Sequence, residues 1–435
     1  AVAYMKGSPE AILQRCSATL GRAGGPEPFD RGALEARVAA MASEGLRVLA
    51  LARKEFPPET TLIHHEDVAD GFTFLGLQGM MDPPRVEAAR SIAECRRAGI
   101  RVKMITGDHA DTAVAIARQL ELDGVASGAA PDDPATDSGN PSVITGAHMN
   151  EISDTELVAV AHDTPVFARV APEQKLRLVE ALQHRGDVIA MTGDGVNDAP
   201  ALRRADIGVS MGVAGTEVAK EAADMVLTDD DFSSIVAAVE EGRGVFANLT
   251  KFITWTLPTN VGEGLVILLA VFLGVALPIL PVQILWVNMT TALLLGLMLA
   301  FEPKEQDLML RPPRDPESPI LSRALLTRIL LVGVMLLIGA FGLFELALMQ
   351  GMSEVAARTI AVNVFVFGEM LYLFNCRSLT RSMFAVGLFS NRWLLVGVAI
   401  MIVLQLAFTY VPFMNTIFHS APIDAEWWLS IIGVG

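Results

Sequence analysis

Hydrophobic and polar positions divide this chain near residue 250. Before that point, short apolar runs alternate with amphipathic stretches; after it, apolar residues dominate for twenty or more positions at a time. In the first part, Ser8–Arg15 and Arg31–Ala42 have helical spacing, whereas Leu46–Ala52 and Phe72–Leu77 read as strands. Asp82-Pro-Pro-Arg85 stops either element, because paired prolines remove ladder donors and clash inside a helix. A hinge is expected there. Strand then alternates with helix. Ile100–Ile105 runs into Thr106-Gly107-Asp108, followed by a helix over Ala110–Leu120. Val166–Ala168 leads to a helix over Pro172–His184, and Val188–Met191, Ile207–Met211 and Met225–Thr228 are further strands. Asp123–Asn140, rich in Gly, Pro, Asp and Ser, is expected as a flexible surface loop. Such alternation predicts an α/β domain built on a doubly wound parallel sheet.

The second part predicts an all-α membrane domain. Spans fall near 249–276, 280–301, 324–350, 358–376 and 392–412, with a sixth apolar segment from about 426. The expected division is 1–79, 80–247 and 248–435. Lys304, Arg311, Arg314 and Arg323 lie in one connection, and Arg377, Arg381 and Arg392 in another. The turns near 277–281 and 413–425 carry no Lys or Arg, so the basic connections and the soluble part are expected on the cytoplasmic side. A lipid bilayer is thus an expected partner. The net charge of −16 argues against nucleic acid. Cys16, Cys95 and Cys376 are scattered without metal spacing and fit a reducing compartment. The chain opens at Ala1 in mid-pattern and closes in Trp427–Gly435, too short to span a bilayer, so a piece of a longer protein is expected.

Candidate chemistry gathers at the carboxyl ends of the predicted strands, where open parallel sheets bind ligands. Met191-Thr-Gly-Asp-Gly-Val-Asn-Asp-Ala-Pro-Ala-Leu202 packs Asp194, Asn197 and Asp198 into a glycine-punctuated turn. Hard oxygens there suit Mg²⁺ held against a phosphate. Thr106-Gly107-Asp108 offers a hydroxyl and backbone N–H groups, and Lys175 an ammonium, to phosphate oxygens. Phosphoryl transfer is catalysed largely by such positioning and charge compensation. In the membrane part, buried polar residues default to function. Asn260 and Glu263 are spaced i, i+3, as are Asn288 and Thr291, and Glu369 lies within the fourth span. Glu345 lies toward the outer end of its span.

The ordered set Lys6-Gly-Ser-Pro-Glu10, Asp82-Pro-Pro-Arg85, Met104-Ile-Thr-Gly-Asp108, Phe167-Ala-Arg-Val-Ala-Pro-Glu-Gln-Lys175 and Thr192-Gly-Asp-Gly-Val-Asn-Asp-Ala-Pro200 resembles the P-type ATPases, most closely the calcium-pump-like branch. The resemblance implies a haloacid-dehalogenase-like phosphorylation domain preceded by the end of a nucleotide-binding domain. It implies ATP and Mg²⁺ as cofactors, with Lys6 lining the adenine pocket and Arg47 and Arg169 reaching nucleotide. Thr106, Gly107 and Lys175 would hold the aspartyl phosphate, with Asp108 in the same catalytic set. Asp194 would ligate Mg²⁺, supported by Asn197 and Asp198. Asn260, Glu263, Asn288, Thr291 and Glu369 would take the transported cation. Two departures matter. The phosphorylated aspartate of the family sits in an Asp-Lys-Thr-Gly-Thr motif that this chain lacks, so the chain alone is expected not to hydrolyse ATP, and the missing amino-terminal half is an expected partner. Where calcium pumps carry a bridging aspartate, this chain has Ala292. The expectation is ATP-driven cation transport at a cell membrane with Ca²⁺ as the first choice of ion. A monovalent cation, a membrane-anchored phosphatase and a nucleotide-binding subunit without turnover are the alternatives.

Overall fold

A computed structural model describes residues 1–21, 24–43, 46–60, 62–80, 85–122, 142–379, 381–387 and 389–435. Of the hinge expected at Asp82–Arg85, Asp82, Pro83 and Pro84 lie outside the described residues, as does the loop expected over Asp123–Asn140. The chain forms two compact units, one of residues 1–237 with 309–313, the other of residues 238–308 with 314–435.

The first unit opens with β1 (Val2–Gly7), α1 (Pro9–Leu13), β2 (Cys16–Leu20), β3 (Pro26–Pro28), α2 (Arg31–Ser43), β4 (Arg47–Glu55) and β5 (Phe72–Met80). These strands make one mixed sheet in the order β1-β4-β5-β2-β3. Ile12, Leu13, Ala50, Ala52, Phe72 and Phe74 form its core. After α3 (Val86–Arg97) come β6 (Met104–Ile105), α4 (Ala110–Gln119), β7 (Val143–Thr145), α5 (Gly146–Glu151), α6 (Asp154–Ala161), β8 (Val166–Ala168) and α7 (Pro172–His184). They are followed by β9 (Ala190–Gly193), α8 (Ala199–Arg204), β10 (Ile207–Met211), α9 (Glu217–Ala222) and β11 (Met225–Leu227). Two parallel three-stranded sheets result, β6-β8-β7 and β11-β10-β9, with every pairing parallel. Their cores touch, because Ile105 and Ile189 pack against both. α6 begins in a full capping box: Ser153 accepts from the Glu156 amide and Glu156 accepts from the Ser153 amide. α7 begins at Pro172, where a missing N–H costs nothing.

The strand expected over Ile100–Ile105 is only two residues long. Its ladder partner β8 is itself three residues long, and only Met104 and Ile105 pair with it. The Nζ of Lys103, just before the strand, donates to the carbonyls of His162 (2.6 Å) and Thr164 (2.8 Å), which follow α6. Burial, joined by the neighbouring Arg101, lowers the Lys103 amine to about 8.

The second unit contains α10 (Phe232–Leu273, its first six residues in the first unit), α11 (Pro281–Thr291), a π-helical turn at Ala292–Gly296, α12 (Leu297–Ala300) and α13 (Arg323–Met349). Then come α14 (Glu354–Cys376), α15 (Met383–Val386), α16 (Arg392–Tyr410), α17 (Pro412–Phe418) and α18 (Ala425–Val434). Among the described residues, five helical stretches, with α11 through α12 counted as one, are long and apolar enough to cross a membrane. α14 is the enclosed one: 72% of its spanning window is buried, against about a third or less in the others. Gly397 lets α16 lie against the π turn, since a Cβ there would come within 2.0 Å of the Leu294 carbonyl oxygen.

One buried ion pair binds three segments of this unit. Arg377, 1% exposed, donates to Glu302 Oε1 through Nε (3.0 Å) and Nη2 (2.8 Å), and to the Gly387 carbonyl through Nη1 (2.8 Å). Asn391 donates to Glu302 Oε2 at 2.8 Å while its own Oδ1 caps α16 by accepting from the Leu394 amide. Every oxygen of Glu302 is therefore compensated, which is the condition for a buried pair to be tolerated.

Two measurements check these contacts. Arg377→Leu strands a buried carboxylate and should lower stability by about 3–5 kcal/mol, whereas adding Glu302→Met should recover most of the loss in detergent unfolding. For Lys103 the depressed amine means the unfolded chain binds more protons between about pH 8 and the ordinary lysine range. Stability of the first unit should therefore rise with pH across that window. Protease-monitored unfolding of the intact protein should show a shallower rise for Lys103→Met.

Candidate phosphate and cation sites

β9 ends at Gly193, and the chain turns through Asp194 and Gly195 into a single 3-10 turn, Val196–Asp198, before α8. Asp198 closes this turn. It is 6% exposed, and its Oδ2 accepts from the amides of Asp194 (3.3 Å) and Gly195 (3.1 Å). Its Oδ1 accepts from Lys175 Nζ at 2.6 Å. Gly193 is required by this closure, because a Cβ there would lie 2.5 Å from the Asp198 Cβ. With Asp198 committed inward, Asp194 and Asn197 stand exposed at the carboxyl end of β9. The Asp194 carbonyl accepts from the Thr216 amide at 2.8 Å, which fixes its backbone but leaves its carboxylate facing solvent.

A second turn follows β6. Thr106 Oγ1 accepts from the Asp108 amide and donates to Asp108 Oδ2, both at 3.0 Å. The turn is tied to the end of β8 by Arg169 N to Asp108 O (3.1 Å) and Val170 N to Thr106 O (3.2 Å). Making both bonds puts Arg169 in the left-handed region, φ 52°. A non-glycine residue held there marks a backbone over-determined by its surroundings. Its guanidinium reaches Glu10 at 3.0 Å. Burial opposes ionisation of Glu10, but its own backbone amide and Arg169 outweigh it and hold the carboxyl below its usual range. Ser8, Glu10, Gly107, Asp108, Thr112 and Arg169 are among the residues that line a cavity of about 400 Å³ beside the turn after β6.

The sequence-derived residues thus fall into sets. Asp194, Asn197 and Asp198 share one turn, which Lys175 reaches from α7, and Thr106, Gly107 and Asp108 share the other, which is tied to Arg169 after β8; among the described residues no hydrogen bond joins the two sets. Lys6 is exposed on β1, away from the cavity lining. Arg47 begins β4, and its side chain lies outside the described residues. Glu10 was legible only as part of a motif, since an acid in a first helical turn is ordinary.

The donor set fits Mg²⁺. Among the described residues no cluster of three or more His, Cys, Asp or Glu makes a ready cage. Mg²⁺ keeps several waters and takes one or two carboxylates plus substrate phosphates, so a solvent-facing Asp194 beside a lysine-neutralised Asp198 is a suitable arrangement.

In the second unit, Glu263 on α10 is 4% exposed and Glu369 on α14 is 2% exposed. Asn288 on α11 donates to Glu263 Oε2 at 3.0 Å. Glu263 Oε1 and Glu369 Oε2 are buried with no hydrogen-bond partner among the described residues. Thr259 and Thr291, both buried, and Glu263 all lie close enough to act on the Glu369 carboxylate. Thr259, one helical turn before Glu263, was not singled out in the sequence, where a lone threonine in an apolar helix gives no signal. Asn260 is exposed on α10 and stands outside this cluster; an i, i+3 pair is offset by about 60° around a helix, enough to separate a buried from an exposed position. Ala292 is likewise exposed. Glu345 is half-buried on α13.

A phosphate-type turn on a parallel sheet and a carboxylate pair among membrane helices define a multi-pass membrane protein with a haloacid dehalogenase-like domain. Three family models match: "P-type ATPase, cytoplasmic domain N" over residues 1–87, "haloacid dehalogenase-like hydrolase" over 175–239, and "Cation transporting ATPase, C-terminus" over 276–435. The "Probable cation-transporting ATPase F" of Mycobacterium tuberculosis (strain ATCC 25618 / H37Rv) is 54% identical over 433 residues, covering 100% of this chain and 47% of that protein. "Cation-transporting ATPase pma1" of Synechocystis sp. is 47% identical, covering 98% of this chain and 46% of that protein. A "Calcium-transporting ATPase" of Bacillus subtilis is 40% identical, covering 99% and 47%. The chain belongs to the P-type cation-transporting ATPases, and it spans about half the length of the curated relatives it matches.

Asp198→Ala removes the acceptor of Lys175 and of two turn amides. It should cost about 3–5 kcal/mol, the range for breaking a buried pair, read as earlier proteolysis of the first unit, while Asp194→Ala should leave that unfolding within about 0.5 kcal/mol of the parent.

Proposed function

We propose that this chain is the carboxyl-terminal part of an ATP-driven cation pump that works through an aspartyl phosphate, with Ca²⁺ as the cargo. The observation that carries the reading is the pair of carboxylates Glu263 and Glu369, each with an unpartnered buried oxygen, in a chain that also bears the Asp194–Asp198 turn. An uncompensated carboxylate oxygen inside a membrane helix bundle is costly unless a cation meets it. The nucleophilic aspartate belongs to the part of the protein this chain does not span.

In this reading, Lys175 neutralises phosphate charge and is itself oriented by Asp198. Thr106 and the open backbone at Gly107 bind phosphate oxygens, and Arg169 holds the nucleotide at the cavity mouth. Asp194 and Asn197 would hold Mg²⁺, which when bound offsets the charge of the phosphate oxygens. At the other site, Glu263 and Glu369 supply charge, and Asn288, Thr259 and Thr291 supply neutral oxygens. Soluble domains on the cytoplasmic side and residence in the cell membrane complete the proposal. Ca²⁺ wants six to eight oxygens with charge balance. Ala292 offers none, and that favours a monovalent cation as the second reading.

ATPase activity of the full-length protein in membranes tests it. Micromolar Ca²⁺ should stimulate turnover several-fold, and Glu263→Gln should abolish the stimulation. Stimulation by Na⁺ or K⁺ with no response to Ca²⁺ would exchange the first reading for the second. Asp194→Asn should raise the Mg²⁺ concentration needed for half-maximal phosphorylation by about tenfold or more.

A further inference from the structure

A second polar cluster lies among α11, α14 and α16, apart from the carboxylates. Asn363 and Glu369 are six residues apart on α14, about 9 Å along the axis and on different faces. Thr359, Asn363, Gln405 and Thr409 are all 0% exposed, so none of them is solvated from the surface. Their hydrogen bonds fix how each amide is turned. Asn363 Nδ2 donates to Thr359 O (2.9 Å) and to Thr409 Oγ1 (3.2 Å). Thr409 in turn donates to the backbone carbonyl of Gln405 at 2.9 Å, and their i, i+4 spacing puts the Gln405 and Thr409 side chains on one face of α16. Gln405 Oε1 accepts from the indole N–H of Trp286 at 3.2 Å, and an indole N–H can only donate, so the amide cannot be flipped without losing that bond. Two atoms are left over: Asn363 Oδ1, an acceptor, and Gln405 Nε2, a donor, both buried with no hydrogen-bond partner among the described residues.

Each such atom, unsatisfied in a hydrocarbon-like interior, carries a desolvation penalty of several kcal/mol against an apolar solvent. A ligand that removes both penalties must donate to one and accept from the other. A cation cannot, because it would meet the Gln405 N–H groups head on, and no carboxylate lies in the cluster to balance it. We propose that Asn363, Gln405 and Thr409 form an internal site for a single water molecule that joins α14 to α16 and is separate from the transported ion. Water is the smallest species with both roles, and sites of this kind in proteins offer it two to four polar partners. This site stands whether or not the cargo is Ca²⁺.

The test uses the full-length protein in lipid nanodiscs. A structure at a resolution that shows water, obtained in K⁺ and again with choline replacing K⁺, should show one density peak within about 3.2 Å of both Asn363 Oδ1 and Gln405 Nε2, unchanged by the exchange. A dry cavity, or a peak lost in choline, overturns the proposal. Thermal unfolding supplies an independent arm. Asn363→Leu and Gln405→Met each remove one side of the water's site, so the double variant should lose clearly less than the sum of the two single losses. Additive losses mean that the two amides share no ligand and sink the idea.

Discussion

The carboxylate of Asp198 is the constraint on which the turn after β9 rests. Two backbone amides and one ammonium converge on it and hold that turn closed. Because Asp198 is consumed by that closure, Asp194 and Asn197 are delivered outward as a preorganised pair rather than as mobile loop residues. Lys175 gains from the same contact: a long flexible ammonium is held still by a buried anion. The turn after β6 is built differently. It is held through the backbone, and the rigidity is visible in Arg169, which accepts a left-handed conformation to make both cross-bonds.

The second unit answers to another rule. Polar atoms among membrane helices are matched wherever the unit is only structural, as at Arg377 with Glu302 or Gln283 with the carbonyls of Phe418 and His419. The unmatched atoms are few, and most sit on α10, α14 and α16. That contrast separates residues that hold helices together from residues that wait for something else. A bundle this apolar tolerates only a few such atoms, and among the described residues of this unit they are confined to Thr256, Glu263, Asn363, Glu369 and Gln405.

Much of the fold was legible because local signals were strong. Pro172 at a helix start, the apolar Val166–Ala168 run and the Ile207–Met211 run sit within their observed elements to the residue. What was not legible depended on distant partners. β2 pairs with β5 across more than fifty residues, and nothing local in Cys16–Leu20 announces it. α10 begins at Phe232 rather than near 249, because its polar first turns lack the apolar run by which a span is recognised. At the candidate sites, residue type was readable but facing was not. Thr259 and Asn260 are neighbours in sequence, yet one is buried beside Glu369 and the other is exposed. Only the phase of the helix distinguishes them, and that phase is set by packing.

The enclosure of α14 has a consequence for how the protein is made. It has the lowest mean hydropathy of the five spans, while α13, which precedes it, has the highest. A segment carrying Asn363 and Glu369 gains little by entering lipid alone, and α13 gains much. Only four residues, 350–353, separate the two helices. The short link and the contrast in hydropathy favour entry into the bilayer as a hairpin, with α13 drawing in a partner that lipid by itself holds poorly.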